Sequence, residues 1–121
     1  MNVNHLHLKV ASADRSRAFY ERFFGLRLSA LHGDILFMRD DAGMDLALAP
    51  AANPEPLPEW FHFGFRLEDA GAVERLYQTM TAAGVPMKQV LERDGEDDLT
   101  FFRCRDPDGY GIEVYWEPEP G

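Results

Sequence analysis

The chain has 121 residues, 45% hydrophobic and 27% charged, the make-up of one globular domain with a core of its own. Its net charge of −9, with lysine only at Lys9 and Lys88, argues against counterion-driven binding to nucleic acid and against an anionic membrane surface. No apolar run approaches the roughly 18 residues of a membrane span, and the alternating start MNVNHLHLKV does not read as a secretory signal. The single cysteine, Cys104, cannot form an internal disulfide and fits a reducing cytoplasm, the expected location.

Residues 3–10 alternate apolar and polar and read as a strand. Ser12 and Asp14 can cap the segment that follows, where Ala18, Phe19, Phe23 and Phe24 recur at helical spacing up to Gly25, a glycine stop. Strands are expected near 26–31, 34–39 and 44–49, the last two joined by the turn Asp40-Asp41-Ala42-Gly43. His32 beside Gly33 reads as a turn residue. Residues 50–58 carry four prolines and read as an extended linker.

Beyond the linker the order begins again. A strand at 60–67 leads to a helix over 69–83, ended by Gly84, and strands follow near 86–91, 98–105 and 111–116. Asp106-Pro107-Asp108-Gly109 turns between the last two. The chain thus reads as a single α+β domain of two βαβββ modules, residues 1–49 and 60–117, joined by a linker over 50–59. His5 lies 15 residues before Tyr20, and His62 lies 15 residues before Tyr77. Each module closes with a carboxylate between apolar neighbours, Met44-Asp45-Leu46 and Ile112-Glu113-Val114, so the repeat equates His5 with His62 and Asp45 with Glu113.

Strand side chains alternate faces, so parity sorts them. Leu6, Leu8 and Val10 oppose His5, His7 and Lys9; Phe61, Phe63, Phe65 and Leu67 oppose Trp60, His62, Gly64 and Arg66; Ile112, Val114 and Trp116 oppose Gly111, Glu113 and Tyr115. The apolar faces suit the two helices, which leaves His5, His62 and Glu113, with Asp45, on faces turned away from them. An ionised carboxylate in mid-strand is costly unless paired or metal-bound. Two neutral imidazoles and a carboxylate suit Fe(II), Mn(II), Ni(II), Zn(II) or Co(II), with positions left open for water or substrate. The expected metal ligands are therefore His5, His62 and Glu113. Taken singly, each has a plainer reading: a hydrogen-bonded strand histidine, a Glu113 paired with Arg103, Arg105 or Lys9, an Asp45 beside a turn. Cys104 reads as a buried small hydrophobe.

These residues carry a resemblance. Asn4-His5-Leu6, Ala18-Phe19-Tyr20 leading to Phe24-Gly25-Leu26, Phe61-His62-Phe63-Gly64-Phe65, and Asp106-Pro107-Asp108-Gly109 before Ile112-Glu113-Val114 resemble the vicinal oxygen chelate superfamily. That superfamily includes glyoxalase I, fosfomycin- and bleomycin-resistance proteins and extradiol dioxygenases. The resemblance covers nearly the whole chain, and it implies paired modules forming a cupped mixed sheet with helices outside, a bound divalent metal, a small-molecule substrate and a homodimer. It implies His5, His62 and Glu113 as metal ligands, with Asp45 and Glu113 as catalytic residues. In the glyoxalase I branch a fourth ligand comes from the strand position matching Asp45, where this chain has the shorter Asp rather than Glu. His7, Lys9, Trp60, Arg66 and Tyr115 are expected to line the substrate pocket.

No branch matches cleanly. The acidic ending Glu117-Pro118-Glu119-Pro120-Gly121 counts against a fosfomycin-type phosphonate site, and residues 45–50 lack the acid–base His of extradiol dioxygenases. Glutathione-binding arginines are not evident, and Lys9 stands where one would sit. A glyoxalase-like lyase or isomerase is the first expectation, an Fe(II) extradiol-type dioxygenase the second, and a drug-binding resistance protein the non-enzymatic alternative.

Overall fold

A computed structural model describes residues 1–95 and 98–119, so Pro120 and Gly121 of the acidic ending lie outside the described residues. The chain divides into two compact units, Met1–Pro56 and Leu57–Gly121. Unit 1 runs β1 (His5–Val10), α1 (Ala13–Phe24), β2 (Arg27–His32), β3 (Ile35–Arg39) and β4 (Asp45–Pro50). Unit 2 repeats that order with β5 (His62–Arg66), α2 (Ala70–Ala82), β6 (Met87–Asp94), β7 (Leu99–Arg105) and β8 (Gly111–Trp116). Each is a βαβββ module with a four-stranded mixed sheet, in orders β1-β4-β3-β2 and β5-β8-β7-β6. The first strand pairs in parallel with the fourth, and the remaining pairs are antiparallel. The stretch 51–61 between β4 and β5 carries neither helix nor strand.

Local chemistry sets the helix ends. The Ser12 side chain accepts the Arg15 amide and opens α1, and Asp69 accepts the Ala72 amide and opens α2. Gly25, at φ 66°, lets its own amide and that of Leu26 reach the Tyr20 carbonyl. Gly84 and Val85 donate to the Thr81 and Met80 carbonyls, a Schellman closure of α2.

In unit 1 Phe19 and Tyr20 of α1 are buried with Leu8, Val10, Leu36, Met38, Leu46 and Leu48 of the sheet. In unit 2 Val73 and Met80 of α2 join Phe102, Cys104, Ile112 and Val114, and Tyr77 packs edge-on against Phe102 at 5.1 Å. Strand residues between these positions, including His5, His7, Lys9, Arg103 and Glu113, lie on the sheet face opposite the helix of their own unit. His32 differs from the turn residue expected: it closes β2, with its ring edge-on to Phe37 at 5.2 Å.

The closing hairpin of each unit has the same turn. Asp40 Oδ1 accepts the amides of Ala42 and Met44, as Asp106 Oδ1 accepts those of Asp108 and Tyr110. The Gly43 and Gly109 amides donate to the Asp40 and Asp106 carbonyls, and both glycines stand at φ 90°. Both turns are therefore Asx turns followed by a glycine in the left-handed region.

These matching turns correct one expectation. With Asp40 on Asp106 and Gly43 on Gly109, Asp45 falls on Gly111 and Ala47 falls on Glu113. Strand register agrees, since His5 pairs with Asp45 and His7 with Ala47, while His62 pairs with Gly111 and Gly64 with Glu113. The repeat thus relates Glu113 to Ala47 and not to Asp45. The expected and observed matches differ by two positions, a shift that preserves the face and so escapes an argument from alternation.

Candidate functional site

In unit 2, His62 opens β5, the edge strand beside β8, and its ring is anchored from behind. Nδ1 lies 3.3 Å from the Trp60 carbonyl oxygen. A carbonyl only accepts, so Nδ1 carries the proton and the neutral ring presents an unprotonated Nε2. That Nε2 faces Glu113 Oε2 at 3.5 Å. Both atoms are acceptors when His62 is neutral and Glu113 ionised, and such a pair is stabilised by a positive centre, either a proton or a metal ion. Two ligands at about 2.1 Å from one ion at a tetrahedral angle stand about 3.4 Å apart, so the spacing and the donor types fit two sites of a divalent coordination sphere.

The other Glu113 oxygen, Oε1, lies 3.5 Å from Arg103 Nη2, across the β7–β8 ladder where the two residues are direct partners. Gly64 is the β5 partner of Glu113, and a Cβ there would stand 3.2 Å from the Glu113 carbonyl oxygen and 3.5 Å from the Tyr115 ring. The first contact is tighter than ordinary, so glycine eases the approach of β5 to the β8 backbone at Glu113.

Unit 1 holds the related imidazole. His5 opens β1, and its Nδ1 is 3.3 Å from the Asn4 side-chain oxygen, which again leaves Nε2 as the acceptor. Asn4, His5, Leu6, His7, Phe37, Asp45 and Ala47 line an open hollow of about 420 Å³. Asp45, opposite His5 in the register, is held by both oxygens: Arg39 Nε and Nη2 reach Oδ1 and Oδ2 at 2.8 and 3.2 Å. The Arg39 hydrogen bond holds the Asp45 carboxyl below its ordinary range, aided by the Arg39 charge and by His5 when protonated. That clamp weakens Asp45 both as a ligand and as a base.

His62 and Glu113 are brought together, His5 stands with Asp45, and among the described residues no group of three or more His, Cys, Asp or Glu could hold a metal ion. Of the expected pocket residues, His7 lines the hollow of unit 1 and Lys9 is exposed further along the same face. Trp60 is 77% exposed beside Phe61. Tyr115 is half-buried, with the Arg66 guanidinium 6.0 Å from its ring centre. Arg66 is also bound by the Glu117 carbonyl and the Glu119 carboxylate. Cys104 is buried, and desolvation pushes its thiol up to about 12, which removes it as a nucleophile.

Two arginines matter here: Arg103, one of three cations the sequence offers as a partner for Glu113, and Arg39, which the sequence alone does not single out. Arg39 and Arg103 each sit directly across a ladder from an acid, Asp45 and Glu113. The signal was present as Arg and acid flanking an Asp-x-x-Gly turn, but it needs the register to be read.

Comparison with known proteins supplies a frame for this geometry. A family model described as Glyoxalase/Bleomycin resistance protein/Dioxygenase superfamily matches residues 2–114. The chain is similar to a possible glyoxalase from Bacillus cereus, at 30% identity over 94% of this chain and 97% of that one, with a TM-score of 0.78. Lactoylglutathione lyase from Agrobacterium tumefaciens is similar at 23% identity, TM-score 0.75, over 95% of this chain and 92% of that one. The genomically encoded fosfomycin resistance protein FosX from Listeria monocytogenes is similar at 17% identity, TM-score 0.81, over 96% and 93%. These last two likenesses concern the fold alone. A search of curated proteins gives no match.

Proposed function

Since the chain belongs to the glyoxalase/bleomycin resistance protein/dioxygenase superfamily, we propose that it is a metal-dependent enzyme, a glyoxalase-like lyase or isomerase acting on a small oxygenated substrate. The observation that carries the proposal is the facing pair His62 Nε2 and Glu113 Oε2, 3.5 Å apart with the imidazole proton held on the far nitrogen. The proposed ligands are His62, Glu113 and His5, the residue of unit 1 that opens the strand equivalent to that of His62. The ion would be Fe(II), Mn(II), Ni(II), Zn(II) or Co(II), all of which accept imidazole and carboxylate. When bound, it supplies Lewis acidity toward adjacent substrate oxygens.

The protein's own groups do the rest. The Trp60 carbonyl and the Asn4 amide oxygen fix the tautomers of His62 and His5, the outer-shell role that orients a ligand. Asp45 is proposed to support His5 from the neighbouring strand rather than to coordinate, because Arg39 takes both its oxygens and Ala47 occupies the position related to Glu113. The reading therefore has three protein ligands, not four. His7, Lys9, Trp60, Arg66 and Tyr115 are proposed to line the substrate site, and the working species is proposed to be a homodimer.

Anaerobic reconstitution with each metal, followed by metal analysis, is the direct test. Wild-type protein should retain one ion per site and His62→Ala should lose most of it; equal contents would end the metal reading. Screening the loaded protein with hemithioacetals, epoxides and catechols then assigns the reaction. Oxygen uptake with a catechol, dependent on Fe(II), would replace the lyase reading with a dioxygenase. A tight drug ligand without turnover or metal dependence would replace it with a binding protein.

A further inference from the structure

The cations beside the Glu113 face of unit 2 are not used alike. Arg66 is bound by the Glu117 carbonyl and the Glu119 carboxylate, while Lys88 and Arg105 share the Glu59 carboxylate. Those partners come from the segments flanking the sheet. Arg103 has no such partner among the described residues. Its Nη2 reaches Glu113 Oε1 at 3.5 Å, the outer limit of a hydrogen bond, and its Nε is buried without an acceptor. A guanidinium has five N–H donors in a rigid fork, so most of this one is uncommitted. The Phe101 ring, 5.8 Å from the guanidinium carbon, helps to hold it on the face.

We propose that Arg103 binds a compact oxyanion of the substrate, a carboxylate or a phosphonate carried next to the oxygens that react. The inference rests on the reading of Glu113 as a metal ligand. An ion that takes up the Glu113 charge removes the carboxylate that Arg103 faces among the described residues, and a planar fork then suits a substrate oxyanion in its place. Metal and anion should therefore bind cooperatively, each raising the affinity for the other by the same factor. The substrate class narrows to small oxygenated acids whose anionic group and reacting oxygens are close together.

The test is calorimetric titration of methylphosphonate, and separately of acetate, into the full-length protein with and without Mn(II), with metal content measured on the same samples. At least one anion should bind the loaded wild type, and the tighter of the two identifies the substrate group. Arg103→Gln should weaken that binding by about tenfold or more, as loss of a charge-assisted pair does, while retaining the metal. Arg103→Lys keeps the charge but not the fork, and should fall between the two. Arg93→Gln, a control for bulk charge on an arginine paired with Glu74, should change little. Equal anion affinity in wild type and Arg103→Gln, with native circular dichroism, would overturn the proposal.

Should the wild type hold no metal, the metal reading fails while the anion site is still decided without it. Metal-free Glu113→Gln, which frees the fork, should bind the anion more tightly than metal-free wild type. The double variant with Arg103→Gln should lose that gain. No difference among the three proteins would dispose of the anion site as well.

Discussion

At the scale of single residues, the two acids of the candidate site differ in what holds them. Asp45 is gripped by a bidentate arginine, whereas Glu113 has one distant guanidinium and one imidazole. Replacing Arg39 by Gln should let the Asp45 pKa rise toward the ordinary carboxylate value, a shift that carboxyl NMR titration would register. Because the folded-state pKa of Asp45 lies below its unfolded value, the pair contributes stability above the ordinary carboxylate range. That contribution is lost as pH falls through the depressed pKa. Acid unfolding of Arg39→Gln should therefore differ less from neutral-pH behaviour than that of wild type. Asp45→Asn separates two roles for this acid. An outer-shell support costs roughly 10–100-fold in metal affinity or activity, whereas a general base costs about 10²–10⁴-fold in turnover with metal binding intact. The second result would reinstate Asp45 as the base. At Cys104, a thiol pushed up to about 12 and buried in the core should resist iodoacetamide at pH 8 in the native protein. It should react fully once the chain is denatured, as mass spectrometry would show.

At the scale of elements, most of the fold could be read from the sequence. The expected helices and strands lie within a few residues of those found, because alternation marks the strands and Ser12, Gly25 and Gly84 mark helix ends. Facing was legible too, since His5, His62 and Glu113 lie on the parity opposite Leu8, Phe63 and Val114. Register was not. A strand shifted by two residues keeps every side chain on its face, so alternation alone could not choose between Asp45 and Ala47 as the mate of Glu113. The hydrogen bonds that Asp40 and Asp106 accept make that choice together with the strand register, and partners across a ladder, such as Arg39 with Asp45, come into view once it is made. The β5–β8 pair supplies its own test. Gly64→Ala puts a methyl 3.2 Å from the Glu113 carbonyl oxygen, closer than ordinary contact, so the β8 backbone must give by a few tenths of an ångström, while the Tyr115 ring at 3.5 Å is in ordinary contact. Overpacking of this kind costs about 1–3 kcal/mol, and the variant should melt earlier and hold metal less well. An unchanged melting temperature would mean that the edge strand adjusts freely.

At the scale of the whole molecule, each unit covers one sheet face with its own helix and leaves the other without a covering element of that unit. Each sheet also ends in strands paired on one side only, β1 and β2 in the first and β5 and β6 in the second. Leu28 and Leu31 on β2 and Val90 on β6 are exposed. Such edges invite association, and sedimentation at micromolar concentration should find a dimer of the 13.8 kDa chain. A species of monomer mass with metal fully bound would rule out an obligate dimer. Among the described residues no helix is long and apolar enough to cross a membrane. The twin turns at Asp40 and Asp106 have a wider consequence, for they make either half a template on which the other can be rewritten. Ala47→Glu would give the first half the acid that the second half carries, and Glu113→Ala would erase the difference in the opposite sense. The present chain is thus a duplicated frame with its acid on one copy only. If metal capacity follows that acid when it is moved or doubled, the inequality of the two halves is itself the functional adaptation.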